Sequence, residues 1–291
     1  MQILSRLAYK ACILWRGDIM RVQTQKPKNR SKIRLYLGKT YFTFKRYLYW
    51  LFGGEKFAKI TSENFRYIIF SHSSPLLRKL KDVDMYLQYN KIENLKIAVK
   101  NINKITLYPG ETLSYWKAIG KPTKGKGYKK GMVLQNGTFY AGTGGGLCQL
   151  SNLIFWMTIH TPLTVIERHR HGYDVFPDSN RTQPFGSGAT CFYNYGDLII
   201  KNNTDQIYQF VFEITENDLN GCIMSDKPSV YQYEVYEKEH MMQPEFWGGY
   251  TRHNTIFRKV LDSNGNILRN EFVAENHAIM MYAPFLPDAT K

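Results

Sequence analysis

The sequence predicts an α+β fold with a central helix and a strand-rich second half. Three observations predict it. The apolar run Leu153 to Ile159 follows a glycine turn and reads as a buried helix starting at Cys148. Met85 to Asn103 repeats Leu87, Ile92, Leu95, Ala98, Val99 and Ile102 near helical spacing. After His171 the pattern turns to β-branched and aromatic segments, with strands expected at Thr190–Tyr195, Leu198–Lys201, Gln206–Ile214, Tyr231–Tyr236 and Asn254–Leu261.

Taken in order, the chain divides into residues 1–84, which are basic and aromatic, residues 85–215, and a β-rich extension over 216–291. Gly53-Gly54 and Ser71 to Pro75 are read as breaks in the first part. Lysines crowd the glycine-rich loop Gly120 to Gly131, which is expected to be a solvated, mobile connection. A short strand, Leu163 to Ile166, precedes Glu167-Arg168-His169-Arg170-His171. Asn202 to Asp205 is a turn, and Asp262 to Asn266 closes a hairpin.

Charge is concentrated at one end. Of the net +15, residues 1 to 60 supply most, with fourteen Lys or Arg against Asp18 and Glu55. Aromatics are mixed with these cations, a composition suited to an anionic membrane surface or to a basic leader folded on the domain. No nucleic-acid signature accompanies it, so no nucleic-acid partner is expected. Neither a signal peptide nor an apolar stretch of spanning length is evident, and the expected location is cytoplasmic, peripheral at the membrane. Four cysteines without CxxC spacing argue against a disulfide scaffold.

The chemistry centres on Gly144-Gly145-Gly146-Leu147-Cys148-Gln149-Leu150-Ser151-Asn152. A thiol at a helix N-terminus meets the positive end of the macrodipole, which favours its thiolate. Continued strand alternation would put Glu167, His169 and His171 on one face, beside Cys148. The Cys148 thiolate, the His169 and His171 imidazoles and the Glu167 carboxylate could therefore converge, with the Gln149 amide as a neighbouring donor. Gly144, Gly145 and Gly146 would let a substrate approach the backbone, with Ser151 and Arg168 as further binding groups. The alternatives stay open: Cys148 as a small buried residue, the histidines as loop hydrogen-bonders, or Cys148, His169, His171 and Glu167 around zinc. A P-loop and a dinucleotide fingerprint are both missing, and no cofactor is expected.

Several segments carry a resemblance: Pro109 to Trp116, Gly127-Tyr128 with Gly131, Gly144 to Asn152, His160 to Thr164, Glu167 to His171, and Asp197-Leu198 with Lys201 to Thr204. In order and spacing they resemble the VanW family over roughly residues 85 to 215. The resemblance implies a link to vancomycin (glycopeptide) resistance and peptidoglycan metabolism. Some members are credited with L,D-transpeptidase activity, which would make Cys148 a nucleophile toward peptidoglycan stem peptides or precursors, His169 or His171 its base, Glu167 a carboxylate partner and Gln149 a donor to the oxyanion. It equally admits a non-catalytic accessory protein that binds such a precursor or a membrane partner. Two positions depart from the family pattern. Asn152 stands where many relatives have Thr, and Gly188 where many have Asp.

Overall fold

The computed structural model describes residues 30–77, 84–135, 137–177 and 182–284. The readings made on Cys12 and on the start of the basic leader lie outside the described residues. Residues from Ser31 onward form one compact unit, whose elements confirm the α+β class.

Helix α1 (Lys32–Phe52) is capped by the Ser31 hydroxyl, which accepts the Arg34 N–H, and it stops at Gly53. Strands β1 (Lys59–Ile60) and β2 (Tyr67–Pro75) follow, then α2 (Met85–Lys100). As the periodicity predicts, α2 buries Leu87, Leu95 and Ala98. Next come β3 (Ile105–Leu107), β4 (Thr112–Ser114), the short α3 (Tyr115–Ile119), and the hairpin of β5 (Lys130–Gln135) with β6 (Thr138–Thr143). Helix α4 (Cys148–Thr158) is the central element, and Leu150, Leu153, Ile154, Phe155, Trp156 and Met157 on it are buried. The chain continues through β7 (Thr164–Glu167), β8 (Tyr173–Asp174), β9 (Ile199–Lys201), β10 (Tyr208–Ile214) and β11 (Asp218–Ser225). Three long strands end it: β12 (Gln232–Pro244), β13 (Tyr250–Leu261) and β14 (Ile267–Met280).

The main sheet runs β1-β3-β10-β11-β2. It draws strands from the basic segment, the middle of the chain and the start of the extension. Helix α4 lies on β2 and β11. Contact is close: a Cβ at Gly221 would stand 2.7 Å from the Met157 sulfur. A second sheet, β12-β13-β14-β8, holds the extension, and a third, β4-β9-β7, carries Ser114 and Glu167 to the site. The hairpin between β13 and β14 forms as expected, with the Asp262 carboxylate accepting the N–H groups of Asn264 and Asn266.

Three local expectations are corrected. Ser71 to Pro75 is no break, because these residues pair with Asp218 to Cys222 inside β2 and β11. The loop from Gly120 to Gly131 is anchored, with Tyr128 buried and the Lys129 N–H donated to Asn94 Oδ1 at 2.7 Å. Thr190 to Tyr195 forms no strand, since its backbone bonds run elsewhere: Thr190 N–H goes to the His169 carbonyl, and Phe192 and Gly196 bond each other across a tight turn. Apolar alternation cannot reveal such pairings, which depend on distant chain.

Candidate functional site

Gly144 and Gly146 have φ of 75° and 89°, the left-handed region that glycine favours. The turn also admits the rest of the protein. A Cβ at Gly145 would lie 2.1 Å from the backbone of Gly131, one at Gly146 would meet the Lys91 side chain at 2.2 Å, and one at Gly144 would meet Pro122 at 2.6 Å. Asn94 seals the turn by donating to the Gly145 carbonyl at 2.9 Å. Packing within the domain calls for glycine at all three positions, and the positive φ adds to it at Gly144 and Gly146.

That packing sets Cys148 at the first position of α4, half-buried. Burial pushes its thiol up, while the backbone N–H of Cys191 and its own N–H pull the other way without prevailing. The direction is opposite to the lowering expected at a helix terminus, and burial is its largest cause. Gln149 donates its amide to Ser74 O, Ser74 Oγ and Pro75 O, at 3.2, 3.0 and 2.9 Å, tying α4 to β2. Its backbone N–H goes to the Gly146 carbonyl. Ser151 is buried and donates to the Ala189 carbonyl at 2.7 Å.

The acidic end of β7 assembles a different cluster. Glu167 Oε1 accepts from the Arg46 guanidinium, from His169 Nε2 at 2.8 Å and from the Asp197 N–H at 3.0 Å. Burial opposes its charge, but these three donors outweigh that and hold the carboxyl at about 2. Next to it Asp197 is fully buried. Its Oδ1 accepts from Trp116 N–H and Leu198 N–H, and its Oδ2 from the Ser114 hydroxyl at 2.5 Å. Here burial wins, with help from Glu167, and the carboxyl rises to about 6 despite those donors and Arg46. Trp50 Nε1 donates to the same Ser114 hydroxyl at 3.1 Å, so α1 helps to close the cluster.

Strand alternation ends at Glu167, because β7 stops there. His169 still reaches the carboxylate by the turn of the loop. His171 does not join it: it packs edge-on to Phe192, and burial, followed by the Arg170 charge, pushes it down to about 4. Arg168 is a brace, donating to Gly188 O at 2.8 Å, to Gly186 O and to Asn276 Oδ1 at 2.9 Å, and lying over the Phe155 ring. Among the described residues no hydrogen bond joins Cys148 to His169 or His171. Among those residues no group of three His, Cys, Asp or Glu is placed where it could hold a metal ion.

Sequence reasoning missed Arg46, Ser114, Asp197 and Cys191 as site residues. Cys191 is buried between the two clusters, and its thiol is pushed up by burial first, then by Asp197 and Cys148. Only Ser114 and Asp197 stood in segments singled out for resemblance. The two departures from the family pattern meet in space. Asn152 Oδ1 accepts the Ala189 N–H at 2.8 Å, and a Cβ at Gly188 would lie 2.5 Å from that same oxygen. The Asn152 side chain stands where a side chain at position 188 would begin.

Comparison with known proteins agrees with the motifs. Residues 90–224 match the family model described as VanW like protein. The chain is 36% identical over 169 residues to the vancomycin B-type resistance protein VanW of Enterococcus faecalis, covering 58% of this chain and 62% of that protein. It is 28% identical over 117 residues to the uncharacterized protein YoaR of Bacillus subtilis, covering 40% of this chain and 37% of that one. The chain thus spans less than two thirds of either relative. No solved structure matches it. Residues 90–224, the stretch that matches the VanW family model, hold the glycine turn, Cys148 and the Glu167–Asp197 cluster, and it is through them that the chain is similar to VanW proteins.

Proposed function

We propose that the protein has a VanW-like role in glycopeptide resistance and cell-wall metabolism, exercised by binding a peptidoglycan stem peptide or precursor without acyl transfer. The match of residues 90–224 to the VanW family model and the likeness to a vancomycin resistance protein support the role. One observation carries the binding reading: the imidazole of His169 is held by Glu167, not turned to Cys148, and the thiol is pushed up by burial. A cysteine nucleophile needs a base within hydrogen-bond reach or a depressed pKa, and Cys148 has neither. His169 is partly exposed beside the Glu167 carboxylate, and it offers a polar contact at the surface.

Acyl transfer remains the second reading, favoured by the placement of a half-buried thiol at the start of α4 under the Cys191 N–H. A single experiment separates the two. The full chain is titrated calorimetrically with a synthetic stem peptide, and the mixture is examined by intact-protein mass spectrometry. Binding without a covalent adduct is expected, unchanged in Cys148→Ala and weakened about tenfold in His169→Ala, the loss of roughly one charged hydrogen bond. A peptidyl adduct that disappears in Cys148→Ala would establish acyl transfer instead. No binding at all would remove the proposal.

A further inference from the structure

Helix α1 is held to the domain by a single stripe. Arg46 reaches Glu167 and the Asn194 carbonyl, the Tyr47 hydroxyl meets that of Tyr193 at 2.7 Å, and Trp50 donates to Ser114. None of its 21 residues is buried. Ile33, Tyr36, Leu51 and Phe52 are 73%, 70%, 72% and 79% exposed, and Phe42 and Phe44 are open as well. An apolar surface of this extent on an otherwise well-packed domain marks an interaction face.

Charge identifies the partner. Lys32, Arg34, Lys39 and Lys45 are exposed on the same helix, which contains no Asp or Glu. A second copy docked on α1 would set these cations against themselves. Residues 1–29 would do little better, since they carry Arg6, Lys10, Arg16, Arg21, Lys26 and Lys28 against Asp18 alone. A surface both apolar and anionic meets both requirements. No helix among the described residues is long and apolar enough to cross a membrane.

We propose that α1 is an interfacial helix, lying in the plane of an anionic lipid bilayer with its exposed Ile, Leu, Phe and Tyr side chains at the boundary of headgroups and acyl chains. Amphipathic aromatics and lysines suit that depth, where the ring is buried and the polar end stays wet. Each cation near an anionic surface contributes roughly fivefold in binding, and salt screens that contribution. The stripe of Arg46, Tyr47 and Trp50 then fixes the domain, with its Glu167–Asp197 cluster, against the membrane face. The inference stands apart from the binding function proposed above, since it uses no ligand of that site.

The test is sedimentation of the full chain with vesicles of phosphatidylglycerol and phosphatidylcholine, against phosphatidylcholine alone, at low and high salt. Two variants accompany it, Ile33→Ser/Phe42→Ser/Phe44→Ser/Leu51→Ser and Lys32→Gln/Arg34→Gln/Lys39→Gln/Lys45→Gln. All eight positions are exposed, and circular dichroism checks that the fold is kept. Expected are binding to the anionic vesicles that falls steeply with salt, little binding to the neutral ones, and at least tenfold weaker binding by each variant. Failure of the parent chain to bind anionic vesicles at low salt would overturn the proposal. So would unchanged binding by both variants. A dimer in light scattering that the apolar variant abolishes would assign the face to a second copy instead.

Discussion

Replacing Glu167 by Gln should expose how much the buried cluster contributes. The carboxylate is held at about 2 against an ordinary 4.5. At about 1.4 kcal/mol per pKa unit, that difference corresponds to roughly 3 kcal/mol of charge-linked stability. The side chain is a quarter exposed, so solvent screening reduces the figure, and about 2 kcal/mol is the working magnitude. Gln retains an oxygen for the Asp197 N–H and His169 but leaves the largely buried Arg46 guanidinium without its counter-charge. Because the folded pKa is depressed, the contribution is full above the unfolded value near 4.5 and is lost as pH falls through about 2. Urea unfolding of parent and variant at pH 7 should therefore differ by about 2 kcal/mol, and by less than half of that at pH 3. Equal midpoints at pH 7 would refute the reasoning, as would a difference that persists undiminished at pH 3.

The neighbouring carboxylate should act in the opposite sense. Asp197 is raised from 3.8 to about 6, so the folded state binds its proton more tightly and stability attributable to this group is lost as pH rises from about 4 through 6. Asp197→Asn should flatten that slope in unfolding midpoints measured between pH 4 and 8, and an unchanged slope would count against the assignment. Cys148 should alkylate slowly at pH 7 and accelerate above about pH 9, with no advantage over Cys222, whose thiol burial also raises. Site-resolved mass spectrometry of iodoacetamide-treated native protein measures this, and fast labelling of Cys148 at pH 7 would restore the activated thiolate. Gly188→Ala should cost about 1–3 kcal/mol in the parent chain through the clash with Asn152, and much less in an Asn152→Ala background. Additive costs in a double-mutant cycle would show that the two positions are not coupled.

The central helix was readable from the sequence because its cause is local. An apolar run of helical length after a glycine turn has few other ways to bury itself, and α4 begins at Cys148 as expected. The same holds for α2 and for the β13–β14 hairpin, whose closing turn is made by Asp262 and its near neighbours. Strand content in the second half was also legible, since β-branched and aromatic residues favour extended chain whatever they pair with. The family motifs pointed to the correct region, and the match over residues 90–224 falls there.

The site itself was decided by tertiary structure. Whether a helix-terminal cysteine is a thiolate depends on how much protein encloses it, and burial reverses the direction that its position suggests. The partner of His169 is Glu167, not Cys148, because β7 ends and the loop turns back on the carboxylate. Arg46 completes that cluster from 121 residues away, and Ser114 reaches Asp197 across 83. Periodicity reports which face of an element is apolar. Contacts between side chains so distant in sequence exist only once the sheets and α1 are assembled, which is why composition could place cations and carboxylates along the chain but not in each other's company.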